Sequence, residues 1–474
     1  MLEKRKNLKL YAAFINEAAE QKNFSFAKRL FASLKSQHLE PDIFTYTSMI
    51  NAAVRGYALD EAEGYLEEMK CRKVNPNQVT YTTLIRGATN LFDLCKAKHY
   101  FGTMIKSGVP PNVRTFNTLL RGCYRTGDAD YAKQLLPIMQ NHHVNPDHVT
   151  LELITMIEAQ SMQMIESVNT LDKLVNLISK NKKEGVYYRF KPSLYLMLAS
   201  TSVVGGYPLK KAKKLLQTFE TAAAEPDLGK STPSNLPAEI WKEFNCLKQF
   251  LEKNEGLPKE ATQVTSKGPK TSPFVLSYPS NLNPTEFFNQ IPKRHGDVNL
   301  VYKLEICTGS GDWLLNRCKN AEANCHWIGL EIRYDRVHEI WRKCILTGCD
   351  KQLSIIHADA NYLTQIFPAN SISEVYINFP DPPLQKDSPQ RLITKSFLER
   401  LAGIVVKGGQ VVVLTDDLEY SHWIEEDAQL LESIFDNSKT KVDTNFQEYG
   451  TSFFDELWER RGRKERRWLT LSVV

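Results

Sequence analysis

Pro41-Asp42-Ile43-Phe44-Thr45-Tyr46 is the first of four versions of one phrase in this chain of 474 residues. The phrase returns as Pro76-Asn77-Gln78-Val79-Thr80-Tyr81, Pro111-Asn112-Val113-Arg114-Thr115-Phe116 and Pro146-Asp147-His148-Val149-Thr150-Leu151. The four prolines are therefore 35 residues apart. A fixed period of this length is typical of solenoids, whose stacked units form a long surface. The period predicts an α-solenoid that presents such a surface to a partner.

Apolar residues follow the same period and indicate two helices in each unit. Ala27, Phe31 and Leu34 have the spacing i, i+4, i+7 of one helical face, and equivalent residues recur every 35 positions. The proline of each unit breaks the chain before the next helix pair. The predicted units are 8–42, 43–77, 78–112 and 113–147, followed by degenerate repeats to about 225.

The first half of the chain resembles the pentatricopeptide repeat (PPR) family, whose period is 35. The tetratricopeptide family is the alternative, but its period is 34 and its consensus tryptophan is absent here before Trp241. PPR repeats bind single-stranded RNA, about one base for each repeat. The resemblance therefore implies an RNA-binding array over 1–225.

In the PPR family the fifth and the last residue of a repeat read one base. The resemblance carries that role to the following pairs: Thr47 with Asn77, Thr82 with Asn112, and Asn117 with Asp147. The family pattern implies adenine, adenine and uracil, and the first repeat is given no base because Ala12 cannot form side-chain hydrogen bonds. The alternative is that Asn77, Asn112 and Asp147 only cap the helices that follow them. The binding free energy of three bases is small compared with the entropic cost of association. We therefore expect the array to serve as an adaptor for another domain.

The segment 226–285 has the Pro-, Ser- and Lys-rich composition of a linker and contains one predicted helix, 237–253. All seven tryptophans lie at position 241 or later, which supports a change of domain. The nine cysteines are scattered without a CxxC pair, so we expect free thiols and no metal site. No apolar run reaches membrane-spanning length. The basic N-terminus contains Glu3 and does not predict a targeting peptide.

The second half alternates short apolar strands with helices, which is typical of an open, mostly parallel α/β sheet. The predicted strands are Val301–Cys307, His326–Ile332, Leu353–Asp359, Ile372–Phe379, Gly409–Asp416 and Arg467–Val474. In such a sheet ligands bind beyond the carboxyl ends of the strands.

Acidic residues mark three of these strand ends. Glu305 precedes the loop Gly309-Ser310-Gly311, Glu331 ends the second strand and Asp359 ends the third. The third glycine of a dinucleotide fingerprint is replaced by Leu314. A carboxylate before the loop suits an amino-bearing ligand, Glu331 suits ribose hydroxyls and Asp359 suits an adenine amino group. This pattern predicts S-adenosyl-L-methionine as the cofactor; the alternative is three solvated carboxylates.

The fourth strand runs into Asn378-Phe379-Pro380-Asp381-Pro382, and here the chain resembles the tRNA (guanine-N7) methyltransferase family. The resemblance extends over about 300–474 and includes Ile328-Gly329-Leu330-Glu331-Ile332 and His357-Ala358-Asp359-Ala360. It implies a Rossmann-like class I methyltransferase domain, which we assign to 286–474. It also implies roles for individual residues: cofactor binding by Glu305, Gly309, Gly311, Glu331, Asp359 and Asp381, catalysis by Asp381, and substrate binding by Lys386, Asp416, Ser452 and Asp455.

The chain departs from that family in three places. Cys307 stands where the family usually has glycine. The basic run that follows the FPDP motif is largely lost, with Gln385 at the usual lysine position and Lys386 beside it. Ser452 and Asp455 replace a threonine and a glutamate. A cluster of arginines and lysines at 460–467 compensates as a phosphate-contacting patch or is a solvated loop.

The sequence thus predicts a fusion of a PPR array with an enzyme that methylates guanine N7 in tRNA, at the family's target, variable-loop guanine 46. The alternatives are a non-catalytic RNA-binding protein with a relic cofactor module, and N7 methylation of another transcript. The PPR resemblance suggests a mitochondrion or plastid, with the cytoplasm or nucleus as the alternative. The need for a protein partner stays open.

Overall fold

In the computed structural model, the described residues are 2–183, 193–205, 207, 209–224, 238–253, 275–278, 282–291, 300–349, 351–381, 383, 386, 391–436, 441–443 and 467–474. The chain forms two compact units. The first contains 1–158, 169–187 and 387–390, and the second contains 159–168, 188–386 and 391–474. None of the described helices is both long enough and apolar enough to span a membrane.

The repeat region consists of helix pairs, as predicted. Its helices are α1 Leu2–Glu20, α2 Phe24–Ser36, α3 Ile43–Arg55, α4 Leu59–Cys71, α5 Gln78–Asn90, α6 Leu94–Lys106, α7 Val113–Thr126, α8 Ala129–Asn141, α9 His148–Gln160 and α10 Met164–Lys183. The periodic alanines Ala27, Ala62 and Ala97 are fully buried, because small side chains let neighbouring helices approach closely. Asp42, Asn77 and Asn112 begin α3, α5 and α7 as N-caps.

Three further helices belong to the second compact unit: α11 Ser193–Val204, α12 Leu209–Ala224 and α13 Ala238–Lys253. Their buried side chains, including Leu196, Phe219 and Leu247, share one apolar cluster with Trp341. This compact unit therefore includes α11 and α12, which lie in the segment that the sequence assigns to degenerate repeats. The reason is that the apolar faces of α11 and α12 are buried against elements of the second half.

Among the described residues, the second unit is built on an eight-stranded sheet. Its strands are β1 Val275–Ser277, β2 Val301–Ile306, β3 Cys325–Glu331, β4 Leu353–His357, β5 Ile372–Asn378, β6 Val405–Thr415, β7 Lys441–Asp443 and β8 Arg467–Ser472. Their order is β1-β4-β3-β2-β5-β6-β8-β7, parallel except at β8, which runs antiparallel to β6 and β7. All six predicted strands are present, and the mostly parallel sheet is confirmed. The structure adds β7, and it adds β1 within the segment predicted as linker.

Helices cover the sheet and complete its core. They are α14 Pro284–Phe288, α15 Asp312–Lys319, α16 Tyr334–Thr347, α17 Leu363–Ile366, α18 Lys395–Ile404 and α19 Leu418–Gln429. From β2 the chain runs outward through β3 and β4 on one flank, and β5 then returns to pair with β2 on its other flank. The strand order thus reverses at β2, and open α/β sheets bind ligands at such a switch point.

Candidate active site and RNA-binding surface

The acidic residues predicted from the strand ends lie at one edge of the sheet. Glu305 is paired in register with Gly329 on β3 and Tyr376 on β5. Glu331 is paired with His357 on β4, and Asp359 follows that strand two residues later. Parallel pairing therefore places all three carboxyl groups beside the switch point.

Glu305 is a buried carboxyl group with an unused acceptor. Its side chain is 2% exposed, and Oε1 accepts a 2.6 Å hydrogen bond from Nδ2 of Asn378. Oε2 has no hydrogen-bond partner among the described residues. Burial raises the pKa of Glu305 to about 8, the charges of Glu331 and Asp312 add to that, and the Asn378 bond opposes it. A cationic or amino-bearing ligand at this position would satisfy the orphan oxygen and favour its ionised form.

The glycine loop between β2 and α15 is shaped by Glu331. Gly309 and Gly311 have φ values of 56° and 73°, which glycine adopts without strain. A Cβ atom at Gly311 would lie 2.7 Å from Cγ1 of Ile340, so the position also excludes a side chain on packing grounds. The Gly309 N–H donates to Oε2 of Glu331 at 3.0 Å.

Glu331 also accepts a bond on its other oxygen, Oε1, from the N–H of Arg333 at 2.9 Å. Burial raises its pKa, and these two backbone bonds oppose the rise. Each carboxylate oxygen keeps a free lone pair for a ligand hydroxyl. Cys307, where the resembling family has glycine, has a φ of 61°, so the backbone at that position has the left-handed conformation that favours glycine.

Asp359 is only partly buried and is oriented by its neighbour. Its Oδ1 accepts from the N–H of Asn361 at 2.8 Å and from the Asn361 side-chain amide at 3.0 Å. Its other oxygen, Oδ2, accepts neither of these two bonds. The geometry leaves Oδ2 suited to an amino donor.

The turn after β5 places Asp381 on the surface near the same edge. Phe379 has a φ of 47°, a strained value for a residue with a side chain, and its N–H donates to the Leu414 carbonyl at 2.8 Å. Asp381 is exposed. Its charge contributes to the raised pKa of the buried Tyr420, whose main cause is burial. Asp381 follows Pro380, and Pro382 on its other side lies outside the residues that the structure describes.

The predicted substrate residues have different surroundings. Lys386 forms an exposed ion pair with Glu426 at 2.5 Å, and such a pair contributes little stability and is easily exchanged for another anion. Asp416 follows the last residue of β6 and is partly buried. Ser452, Asp455 and 460–466 of the basic cluster lie outside the residues that the structure describes. Arg391, the next arginine after the FPDP motif, is buried against Asp427 at 2.8 Å and is committed to the fold.

The predicted base-reading residues bond across neighbouring repeats. The hydroxyls of Thr47 and Thr80 are 2.9 Å apart, as are those of Thr82 and Thr115. Asn117 donates to Asp147 at 3.0 Å, so the third predicted pair is in direct contact. In the first two predicted pairs the side chains are linked through a threonine, Thr80 or Thr115, whose hydroxyl also donates to the asparagine of the pair.

The alternative role, helix capping, is also present at the last residue of each pair. Asn77, Asn112 and Asp147 each accept the N–H of the residue three positions later, at 3.0, 3.0 and 2.8 Å. The Oδ1 atom of each side chain is thus occupied, and Nδ2 of Asn112 donates to Gln78 at 2.7 Å. Base reading at Asn112 requires exchange of that last bond.

Four arginines that the sequence reasoning did not single out lie near the predicted base-reading residues and form an arginine ridge. We define it as Arg55, Arg86, Arg121 and Arg125. They stand four and eight residues after Thr47, Thr82 and Asn117 on α3, α5 and α7, so the periodicity places them on the same helical face. Arg86 donates to Asn51 of the preceding repeat at 2.6 Å, and Arg125 donates to Asn90 at 3.1 Å.

The arginine ridge is positively charged and is confined to α3, α5 and α7. Burial lowers the pKa of Arg86, and the neighbouring charges of Arg55 and Arg114 lower it further. Cations that repel one another in this way form a positive surface that attracts phosphate groups. The equivalent positions are Asn16 and Glu20 on α1, and Met156 and Gln160 on α9. A search for the 35-residue period among polar residues would have found the ridge.

Two families match the chain, one in each half. The family described as "Putative methyltransferase" matches residues 299–467. The family described as "Pentacotripeptide-repeat region of PRORP" matches residues 3–187. The predicted resemblances are confirmed in both halves.

Curated relatives match the second half. A tRNA (guanine-N(7)-)-methyltransferase of Chlamydia caviae is 33% identical over 164 residues, which are 34% of this chain and 71% of the relative. The protein of the same name from Chlamydia muridarum is 28% identical over 203 residues, 42% of this chain and 84% of the relative.

Solved structures are similar to each half at low identity. The PPR domain of Arabidopsis thaliana protein-only RNase P 1, solved with tRNA, covers 41% of this chain and 98% of its own, with 19% identity and a TM-score of 0.35. The 16S rRNA methyltransferase KamB covers 37% of this chain and 90% of its own, with 14% identity and a TM-score of 0.30.

Proposed function

The chain belongs to the tRNA (guanine-N(7)-)-methyltransferase family and carries a PPR array, and we propose that it methylates guanine N7 in tRNA with the array as an RNA-holding surface. The enzyme class and its dependence on S-adenosyl-L-methionine follow from the family. Variable-loop guanine 46 is the proposed target. The observation that carries the proposal is the row of Glu305, Glu331 and Asp359 at the strand-order switch.

The residues present fit the cofactor. Its amino group matches the orphan Oε2 of Glu305, ribose hydroxyls match the free lone pairs of Glu331, and the adenine amino group matches Asp359. When bound, the cofactor supplies a methyl group activated by a sulfonium. Gly309 leaves open space beside the loop, since no atom of the described residues beyond its chain neighbours lies within 4 Å of where its Cβ would be.

The chemistry requires positioning more than proton transfer. Guanine N7 has a free lone pair, so no proton has to leave before the methyl group arrives and no general base is needed. The protein has to align N7 with the methyl group and exclude water. The purine gains positive charge during transfer, and a fixed carboxylate stabilises that charge. We assign this role to Asp381 and a base-contacting role to Asp416.

The array supplies the electrostatic grip that the lost basic run no longer provides. Arg391 is buried and Lys386 is paired, so the segment after the FPDP motif offers few cations. The arginine ridge offers four, beside polar side chains that suit base edges. Affinity for nucleic acid depends mostly on such phosphate contacts.

The test uses purified full-length protein, radiolabelled cofactor and two tRNA transcripts. One transcript carries guanine at position 46 and the other carries 7-deazaguanine, which lacks N7. We expect methyl incorporation into the first and none into the second. Equal labelling of both would exclude guanine 46 N7 as the acceptor. Absence of labelling in both, with cofactor bound, would favour another transcript or a relic module.

A further inference from the structure

Helices α11 and α13 pack against α16, and a lysine of α16 bonds to the glycine loop. The residues of α16 are buried around most of its circumference, including Trp341, Arg342 and Ile345. A helix buried on all sides requires a layer on each side of it. The sheet supplies one layer, and α11 and α13 supply the other.

Arg342 is the charged residue at this contact. Its side chain is 6% exposed, and its Nη1 donates to Oε1 of Glu243 on α13 at 2.5 Å and to the hydroxyl of Ser200 on α11. Glu243 is 15% exposed at the side chain. A buried guanidinium without a carboxylate is costly, so Glu243 is the group that makes burial of Arg342 tolerable.

Lys343, the next residue, holds the glycine loop. Its Nζ donates to the Ser310 carbonyl at 3.1 Å and to both oxygens of Asp312 at 3.1 Å. It also pairs with Glu339 at 3.0 Å. Ser310 lies between the two loop glycines, so Lys343 contacts the loop on the segment expected to face the cofactor.

The Arg342–Glu243 pair and the contacts of Lys343 with the glycine loop are close together in the structure. Glu243, Asp312 and Lys343 line a single cavity of about 660 Å³. Burial opposes the charged form of Lys343, but the charges of Glu339, Asp312 and Glu243 raise its pKa. Burial likewise opposes the charged form of Glu339, and the charges of Lys343, Arg336 and Arg342 lower its pKa. Glu339 is three residues before Arg342 on α16, within reach of it. Glu339 is shared between Lys343 and Arg336, with which it pairs at 2.8 Å. Without Glu243, Arg342 would be a third cation drawn to Glu339, and Lys343 would lose one of the groups that fix its ammonium beside Ser310.

We propose that Glu243 is a positioning residue for cofactor binding: by neutralising Arg342 it leaves Lys343 committed to Ser310 and Asp312, and so keeps the glycine loop in its binding shape. The inference rests on the proposed function for the identity of the ligand. It gives α13 a role in shaping the cofactor site that is distinct from RNA binding.

The test compares Glu243→Gln with Glu220→Gln in the full-length protein. Glu220 forms an exposed pair with Lys248 between α12 and α13 at 3.2 Å, so its loss removes the same charge from the same helix layer without stranding a buried cation. For Glu243→Gln we expect the dissociation constant for S-adenosylhomocysteine, measured by calorimetry without RNA, to rise about tenfold. The KM for tRNA should be unchanged. Glu220→Gln should match the wild type.

A second measurement does not depend on ligand. Hydrogen exchange of the amides of 308–312 in the ligand-free protein should become about tenfold faster in Glu243→Gln and be restored in part by Glu243→Gln with Arg342→Gln, which removes the stranded cation. A Glu243→Gln variant that loses thermal stability yet keeps wild-type loop exchange and ligand affinity would overturn the proposal. If wild-type protein bound no S-adenosylhomocysteine, the proposed function would fail, whereas loop exchange would still decide the role of Glu243.

Discussion

The repeat array and the sheet domain use polar side chains in contrasting ways. In the array, the bonds Arg86–Asn51 and Arg125–Asn90 join equivalent positions 35 residues apart, and similar contacts recur in several repeats. In the sheet domain, the Glu305–Asn378 bond joins residues 73 apart. The array therefore repeats similar polar contacts along its length, whereas the sheet domain brings together side chains that have no equivalent elsewhere in the sheet. We expect single substitutions to have large effects in the sheet domain and small effects in the array.

The largest effect should come from Asp381→Asn. We expect kcat to fall roughly 10²–10³-fold, as for the loss of one preorganised electrostatic partner, and cofactor affinity to fall much less, because Asp381 is one of several predicted cofactor contacts. Steady-state methyl transfer with saturating tRNA and calorimetry with S-adenosylhomocysteine measure the two quantities. Glu419→Gln, which removes an exposed carboxylate from the first turn of α19, is the control and should retain activity. Near-normal turnover by Asp381→Asn would remove the contrast between the two regions.

Two truncated chains test whether α11 and α12 stabilise the second compact unit. A chain beginning at Pro226 lacks α11 and α12 and exposes the partners of Leu196, Ala199 and Phe219. Because a buried large apolar side chain contributes about 1.5–3 kcal/mol, we expect the melting temperature of this chain to fall by roughly 10 °C or more. Tryptophan fluorescence reports this unit alone, since every tryptophan lies at 241 or later.

A chain beginning at Ala159 keeps these helices and provides the matched comparison. Its tryptophan transition should stay within a few degrees of that of the full chain, while the KM for tRNA rises and kcat at saturation changes little. Equal melting temperatures for both truncations would show that α11 and α12 contribute nothing to the second unit.

The pH dependence of stability should carry the signature of Glu305. Its pKa is about 8 in the folded ligand-free protein and near 4.5 in the unfolded chain, so between these values the folded state holds a proton that the unfolded state lacks. Stability should therefore decrease as pH rises through this window, by a few kcal/mol, and level off above it. Urea unfolding followed by tryptophan fluorescence at pH 5 and pH 8.5 measures the change.

Glu305→Gln is neutral in both states and should flatten this dependence. The raised pKa of Glu331 acts with the same sign, so a shallower slope is expected to remain. An unchanged slope in Glu305→Gln would show that Glu305 is ionised in the ligand-free protein.

A smaller effect is expected in the array. Arg86→Gln with Arg121→Gln should weaken tRNA binding about tenfold at moderate salt. The slope of log affinity against log salt should fall by about 1.4, since each phosphate contact on single-stranded RNA contributes about 0.7. Lys106→Gln with Lys133→Gln removes the same charge from exposed positions on the second helices of the repeats and is the control. Equal salt slopes for the two variants would argue against a phosphate track on the ridge.

The smallest effect should follow Thr82→Ala at one predicted base-reading position. Loss of one hydroxyl should lower affinity for an RNA with the matching base about threefold, and leave affinity for a mismatched RNA unchanged. Competition binding with two oligonucleotides that differ at one base measures the ratio. A uniform loss across both would mean that the Thr82–Thr115 bond only supports the fold.

Short sequence segments predicted the acidic residues of the candidate site, but they did not predict every strand of the sheet. Glu305, Glu331 and Asp359 are each next to a strand end that the hydrophobic pattern predicts, so parallel pairing brings them to one edge. The strand β1 was missed because three residues in a proline-rich segment have too little pattern.

What the sequence determined by itself is whatever repeats or alternates locally: the helix pairs, the strands and the acids at their ends. These depend on spacing within a few residues or on a fixed period, both of which are written in the chain. Only the tertiary structure decided that Glu243 meets Arg342, 99 residues away, and that Lys343 beside it holds Ser310. No local pattern selects one distant charge as the partner of another, because that choice is made by the apolar packing that buries them together.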